Sequence, residues 1–87
     1  MKRVKNPNAG QVIRNYRWKT QLTAKHVSRS LAHPESSLYR IETGAAHLRA
    51  DEVARFCQAL SIPPQELIEA MLLDYRDYLV DMYNETR

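Results

Sequence analysis

Within six positions the chain offers a carboxylate, an aliphatic hydroxyl, a phenol and a guanidinium: Glu35, Ser36, Tyr39 and Arg40. Residues three or four apart share one side of a helix, so these four can face outward together. A protruding helix that mixes donors and acceptors in this way has the width to enter the major groove of double-stranded DNA. Other chemistries find less support. His26, His33, His47 and Cys57 are the soft metal-ligand candidates, and none stands in a Cys-x-x-Cys or His-x-x-x-His arrangement. No serine sits in a nucleophile elbow, and the two glycines cannot build a phosphate-binding loop. A chain of 87 residues divided into short segments has little room for a catalytic pocket. The reading is of a protein that is not an enzyme and that uses neither metal nor cofactor.

Those side chains need a frame, and the block Leu22 to Gly44 supplies it. Thr23 caps a helix in which Val27 and Leu31 recur four residues apart. Ala32-His33-Pro34 interrupts that helix, because the residue before proline is driven out of helical backbone. Pro34-Glu35 restarts one with a proline and an acid in its first turn, as the macrodipole favours. Leu38 and Ile41 form its inner face, and Gly44 ends it in a left-handed C-cap. Two short helices across a tight turn make a helix-turn-helix at about residues 23–43, with 34–43 as the recognition helix.

The flanking sequence is helical as well. Asn6-Pro7 reads as a cap and first position of an opening helix whose Val12, Ile13, Tyr16 and Arg17 share a face, with Trp18 beside it. Ala45 to Arg49 is a loop. Asp51 and Glu52 then open a helix with Val53, Phe56, Cys57 and Leu60 as its buried stripe. After Ser61-Ile62-Pro63-Pro64 a final helix runs to about Asn84. No segment alternates as a strand does. The fold expected is all-α with five helices.

Charge is divided along the chain. Met1 to Arg49 carries ten basic residues against Glu35 and Glu42, whereas Ala50 to Arg87 carries three against eight acidic ones. One half attracts a polyanion and the other repels it, which orients the molecule in a phosphate's field. A single cysteine excludes an internal disulfide and suits the cytoplasm. No apolar run reaches the roughly 18 residues of a membrane span, and no apolar segment follows the basic N-terminus as a secretion signal would require.

The residues Leu22-Thr23, Ser36-Ser37-Leu38-Tyr39-Arg40-Ile41-Glu42-Thr43-Gly44 and Gln58-Ala59-Leu60-Ser61-Ile62-Pro63 resemble the Xre/lambda-repressor-like helix-turn-helix domains, from Val12 to about Leu67. The resemblance implies a five-helix DNA-binding module in which Arg17 pairs with Glu42 to tie the recognition helix to the first helix. It also implies base-edge contacts from the start of the recognition helix. Glu35 would accept from a cytosine amino group and Arg40 would address guanine. Ser36 and Ser37 would reach bases or phosphates, and Tyr39 a thymine methyl or the backbone. Thr23, Lys25 and Arg29, with Thr43, His47 and Arg49 in the following loop, are the remaining DNA contacts it suggests. Lys2, Arg3 and Lys5 form a basic arm for the backbone or a minor groove. Four positions depart from the family: Ala24 replaces a phosphate-clamping glutamine, Pro34 follows His33 in place of a hydroxyl cap, Ser28 stands for alanine and Ala32 for glycine. Lys25 or Arg29 is left to make the contact that Ala24 cannot.

The last helix carries a second signal. Ile68, Met71, Tyr75, Tyr78 and Met82 follow a 3-4-3-4 spacing, and Leu72 and Leu79 widen the seam. At 1.5 Å per residue this helix is roughly 30 Å long, more than a small body needs to cover itself. The expected organisation is a DNA-binding domain at 1–66 continuous with a C-terminal dimerisation helix at 67–87. The function expected is a homodimeric, sequence-specific repressor of transcription on a near-palindromic operator, such as a phage repressor, an operon autorepressor or a restriction–modification controller. The alternatives are an antitoxin and a protein-interaction adaptor on the same fold, with a toxin or a polymerase as protein partner.

Overall fold

Prolines and backbone reversals cut the chain into five helices, seen in a computed structural model that describes residues 7–46 and 48–86. They are α1 (Pro7–Lys19), α2 (Ala24–Leu31), α3 (Glu35–Glu42), α4 (Val53–Leu60) and α5 (Pro64–Thr86), with one 3-10 turn at Ala50–Glu52 before α4. No strand occurs among the described residues. The chain is all-α, as its periodicity requires. Asn6 and the arm residues Lys2, Arg3 and Lys5 lie outside the described residues.

Three helix boundaries differ in detail from expectation. Pro34 is the N-cap of α3, with φ −63° and ψ 148°, so α3 starts at Glu35 and ends at Glu42 with Thr43 as C-cap. A proline ring cannot accept a hydrogen bond, and α3 has no side-chain cap. Asp51 and Glu52 belong to the 3-10 turn rather than to α4, and Val53 is half-buried where full burial was expected. The last helix runs two residues past Asn84, to Thr86.

Gln21, Ala32 and Ser61 take left-handed backbone with φ of 59°, 56° and 57° at the junctions after α1, α2 and α4. Such backbone costs a side-chain-bearing residue about 1–2 kcal/mol. The neighbouring contacts offset it: the Ala32 N–H donates to the Arg29 carbonyl and the His33 N–H to the Ser28 carbonyl, closing α2.

Every helix contributes to one core. Ile13, Val27, Leu38, Phe56, Leu60 and Leu67 are its largest fully buried side chains. Two close approaches hold α1 in place. A Cβ on Gly10 would stand 2.4 Å from the Ile41 carbonyl oxygen and 2.5 Å from that of Glu42, so only glycine lets α1 cross the end of α3. At the start of α1, Asp74 of α5 is almost wholly buried and accepts from the Asn8 N–H (3.0 Å), the Asn8 side-chain amide (2.9 Å) and the Ala9 N–H (3.0 Å). A carboxylate there satisfies orphan amides and complements the helix dipole. At the other end of α1, Tyr16 donates to Glu66 at 2.6 Å, so α1 and α5 run antiparallel. Beyond Asp74, α5 continues for twelve residues, about 18 Å at 1.5 Å per residue.

Candidate nucleic-acid interface

α2 is seated by Thr23, whose hydroxyl accepts from the His26 N–H at 3.1 Å, and by the burial of Ala24, Val27, Ser28 and Leu31. Lys25, His26 and Arg29 are left exposed. Ser28 resolves one departure from the family pattern: its hydroxyl donates to the Lys25 carbonyl at 3.1 Å, which lets a polar residue occupy a buried site. Ala24 points into the core, so position 24 offers no side chain outward.

α3 turns Leu38 and Ile41 inward and leaves Glu35, Ser36, Tyr39 and Arg40 exposed along one side. Ser37 is half-buried and stands apart from that set. Arg17 and Glu42 meet as a two-pronged pair, Nε to Oε2 at 2.6 Å and Nη2 to Oε1 at 2.9 Å, and a third N–H reaches the Leu22 carbonyl at 3.4 Å. Their side chains are 11% and 2% exposed, so both prongs lie where water competes little. The hydrogen bond to Glu42 holds the Arg17 guanidinium above its usual range, against the opposing pull of burial. The pair fixes α3 to α1 at the end opposite its first turn.

The loop after α3 is tightly folded. Gly44 has a φ of 83°, and the Arg40 carbonyl accepts from the N–H groups of Ala45 and Ala46 at 2.7 and 3.0 Å. Thr43 and Arg49 are exposed, and Leu48 anchors the loop in the core. Arg49 also touches Asp51 at 3.2 Å with both side chains largely in water, a contact weak enough to exchange for a phosphate. His47 lies outside the described residues.

Sequence reasoning missed one polar cluster behind this surface. His33 Nε2 is hydrogen-bonded to Glu52 Oε2, while Glu52 Oε1 accepts from the Arg49 N–H at 3.1 Å. The His33 ring also leans on Phe56, with centroids 6.0 Å apart. No motif announces these contacts. Only the S/T-x-x-E form of a capping box could have hinted at Glu52, and Arg49 disguises it.

The seam of α5 divides into two groups. Ile68, Leu72, Tyr75, Leu79 and Met82 are exposed, from 39% at Met82 to 60% at Leu72, whereas Met71 and Tyr78 are half-buried. Leu73, Val80 and Tyr83 are also exposed apolar side chains that the heptad pattern did not include. Part of the seam itself, Met71, Tyr75 and Tyr78, lines with Leu48 and Val53 an apolar groove of about 640 Å³ between α5 and the chain leading into α4.

Metal and thiol chemistry gain nothing from the geometry. Among the described residues no three His, Cys, Asp or Glu side chains stand close enough to hold a metal ion. Burial pushes the Cys57 thiol up, away from the reactive thiolate. No described helix is long and apolar enough to cross a membrane.

A family model described as a helix-turn-helix domain matches residues 9–71. No curated protein sequence matches significantly. Solved structures that share the fold include two regulators from bacteria. The restriction-modification controller protein C.AhdI from Aeromonas hydrophila aligns with a TM-score of 0.66 and 22% identity, over 71% of this chain and 94% of its own. The clp gene regulator ClgR from C. glutamicum aligns with a TM-score of 0.69 and 16% identity, over 77% of this chain and 87% of its own.

Proposed function

The chain belongs to the helix-turn-helix domain family, a DNA-binding regulator fold, and from that premise we propose that it is a homodimeric transcriptional repressor that reads a near-palindromic operator. The observation that carries the reading is the outer side of α3, where Glu35, Ser36, Tyr39 and Arg40 are all exposed on a helix pinned from behind by Leu38, Ile41 and the Arg17–Glu42 pair. In the complex that side lies in the major groove, with Ser37 at its margin. Thr23, Lys25 and Arg29 of the α2 region and Thr43 and Arg49 after α3 lie against the phosphates, and His47 is assigned the same role from its sequence position alone. Phosphate contacts fix the register and base contacts supply the sequence.

The dimer is built on α5. Its exposed Ile68, Leu72, Tyr75, Leu79 and Met82 are only partly covered by their own domain, and aromatic residues and methionine are enriched where interfaces form. A second copy laid along this seam fills the groove beside Met71 and Tyr78 and buries both stripes at once. Two-fold pairing sets two α3 helices about 34 Å apart, one turn of duplex. In this reading residues 1–66 serve DNA and the outward face of 67–87 serves pairing, while Leu67, Ala70 and Asp74 on the inward face of α5 pack into and cap the first unit. The same seam also favours a second reading, an antitoxin or adaptor that uses α5 to hold a different protein.

Selection of bound sequences from a random duplex pool, at about 150 mM salt where non-specific attraction is screened, tests the proposal. A two-fold-symmetric motif is the expected outcome. A single half-site would remove the dimer and keep the DNA reading. No enrichment would move the chain to the adaptor reading.

A further inference from the structure

The first turn of α3, which carries Glu35 and Ser36, begins without a side-chain cap because Pro34 occupies the N-cap. Something else must fix its position. His33, immediately before, is held by its ring packing on the buried Phe56 and by its bond to Glu52. Glu52 is also the acceptor for the Arg49 N–H, at the end of the loop that leaves α3. One carboxylate therefore grips both flanks of the helix: the residue that leads into it and the residue that closes the loop after it. Its side chain is 13% exposed and that of His33 is 22%, so water competes poorly for the bond to His33, while the bond to the Arg49 N–H lies nearer solvent.

Resting on the DNA-binding reading above, we infer that Glu52 is a positioning residue for DNA recognition, setting the placement of the first turn of α3 and of Arg49 relative to each other. The Arg17–Glu42 pair secures the far end of α3 and leaves this end to Glu52. Base contacts from Glu35 and Ser36 and a phosphate contact from Arg49 must be made together on one rigid duplex. A shift of either flank then costs the contacts of both. Glu52 itself, behind the surface, touches no DNA.

The test compares Glu52→Ala and Glu52→Gln in the full chain with the unaltered protein. An amide still accepts from the Arg49 N–H and still bonds His33 once the imidazole changes tautomer, so Glu52→Gln should keep the geometry that Glu52→Ala destroys. In the free protein, Glu52→Ala should move the backbone amide resonances of Glu35, Ser36 and Arg49 while leaving those of Asn8, Ala9 and Trp18 in place, and Glu52→Gln should restore them. On the selected duplex, Glu52→Ala should lose roughly tenfold in affinity, the effect of an unmade buried polar contact, and Glu52→Gln should recover most of it. Unmoved resonances at Glu35 and Ser36, or equal loss in both variants, would overturn the inference. Should Glu52→Ala not fold, His33→Gln supplies the second arm, since it keeps a donor toward Glu52; an affinity loss as large as that of His33→Ala would count against positioning. Failure of the unaltered protein to bind any duplex would instead sink the DNA reading and leave the resonance result standing.

Discussion

α3 and the outer half of α5 both turn a face to solvent, and the two faces are opposites. α3 is eight residues long, polar outside, and secured by Leu38, Ile41 and the two-pronged Arg17–Glu42 bond. The last twelve residues of α5 project past Asp74 and carry Tyr75, Leu79, Val80, Met82 and Tyr83 in the open. A polar face loses little by being exposed, so rigidity there needs another purpose, and the proposed one is that fixed donors and acceptors match a fixed set of base edges. An apolar face does lose by exposure, and it invites a partner that covers it. Over-determined polar surface and under-covered apolar surface are thus two signatures of recognition on one small chain.

The contrast breaks first at Arg17. Removing the guanidinium leaves the Glu42 carboxylate, at 2% side-chain exposure, buried without its partner. Arg17→Ala should therefore destabilise the fold by about 3–5 kcal/mol, measured by urea denaturation. Arg17→Met with Glu42→Leu should recover most of that loss, because no orphan charge remains. A cost for Arg17→Ala below about 1 kcal/mol, the range of an exposed pair, would mean that the core alone fixes α3.

The α5 face should respond in the opposite manner. Leu72 and Tyr75 are 60% and 59% exposed, so placing charge there leaves the isolated domain intact. Leu72→Glu with Tyr75→Glu should shift the mass in sedimentation from dimer to monomer while the melting temperature of a dilute sample barely moves. Binding to a palindromic duplex should weaken sharply as the second half-site is lost. An unchanged mass would show that the exposed seam is not the pairing surface.

Arg40→Ala probes the polar face directly. The side chain is exposed, so the fold should be untouched. Loss of one base-reading guanidinium should cost about 1–3 kcal/mol on the selected duplex and relax preference at one position, read by repeating the selection with the variant. Retained selectivity would remove Arg40 from the reading group.

The elements of this fold were legible because they depend on near neighbours in sequence. Thr23 caps α2 three residues away, Pro34 breaks the chain where it stands, and the four-residue spacings of Val27, Leu31, Leu38 and Ile41 do not depend on distant contacts. The Arg17–Glu42 pairing came from family resemblance, since nothing local joins positions 25 residues apart. The contacts that fix helix against helix were invisible for the same reason. Asp74 and Asn8 are separated by 66 residues, and an aspartate on a heptad-patterned helix reads as ordinary surface. Gly10 reads as a weak spot in α1 until α3 lies across it. Ala32 and Ser61 adopt left-handed backbone without the glycine that marks it, so the turn after α2 was found through Pro34 instead.

The smallest effect concerns the foot of α5, which, unlike its tip, is tied down. Tyr16 donates to Glu66 at 2.6 Å, and that bond, with smaller contributions from burial and from the carboxylate's charge, holds the phenol above its ordinary value of 10.0. A folded-state value above the unfolded one gives stability that is whole below the unfolded value and is lost as pH rises through the folded one. Tyr16→Phe should therefore lower the urea midpoint slightly between about pH 7 and 9, well below the phenol's titration. The gap between the two proteins should close as the phenol ionises in alkaline solution, where phenolate and carboxylate would repel. The absence of any gap near neutral pH would show that ring packing, which phenylalanine retains, rather than the hydroxyl anchors this end of α5. Closure of the gap with no change in sedimentation would separate the anchored foot, which serves the fold, from the exposed seam on which the proposed dimer is built.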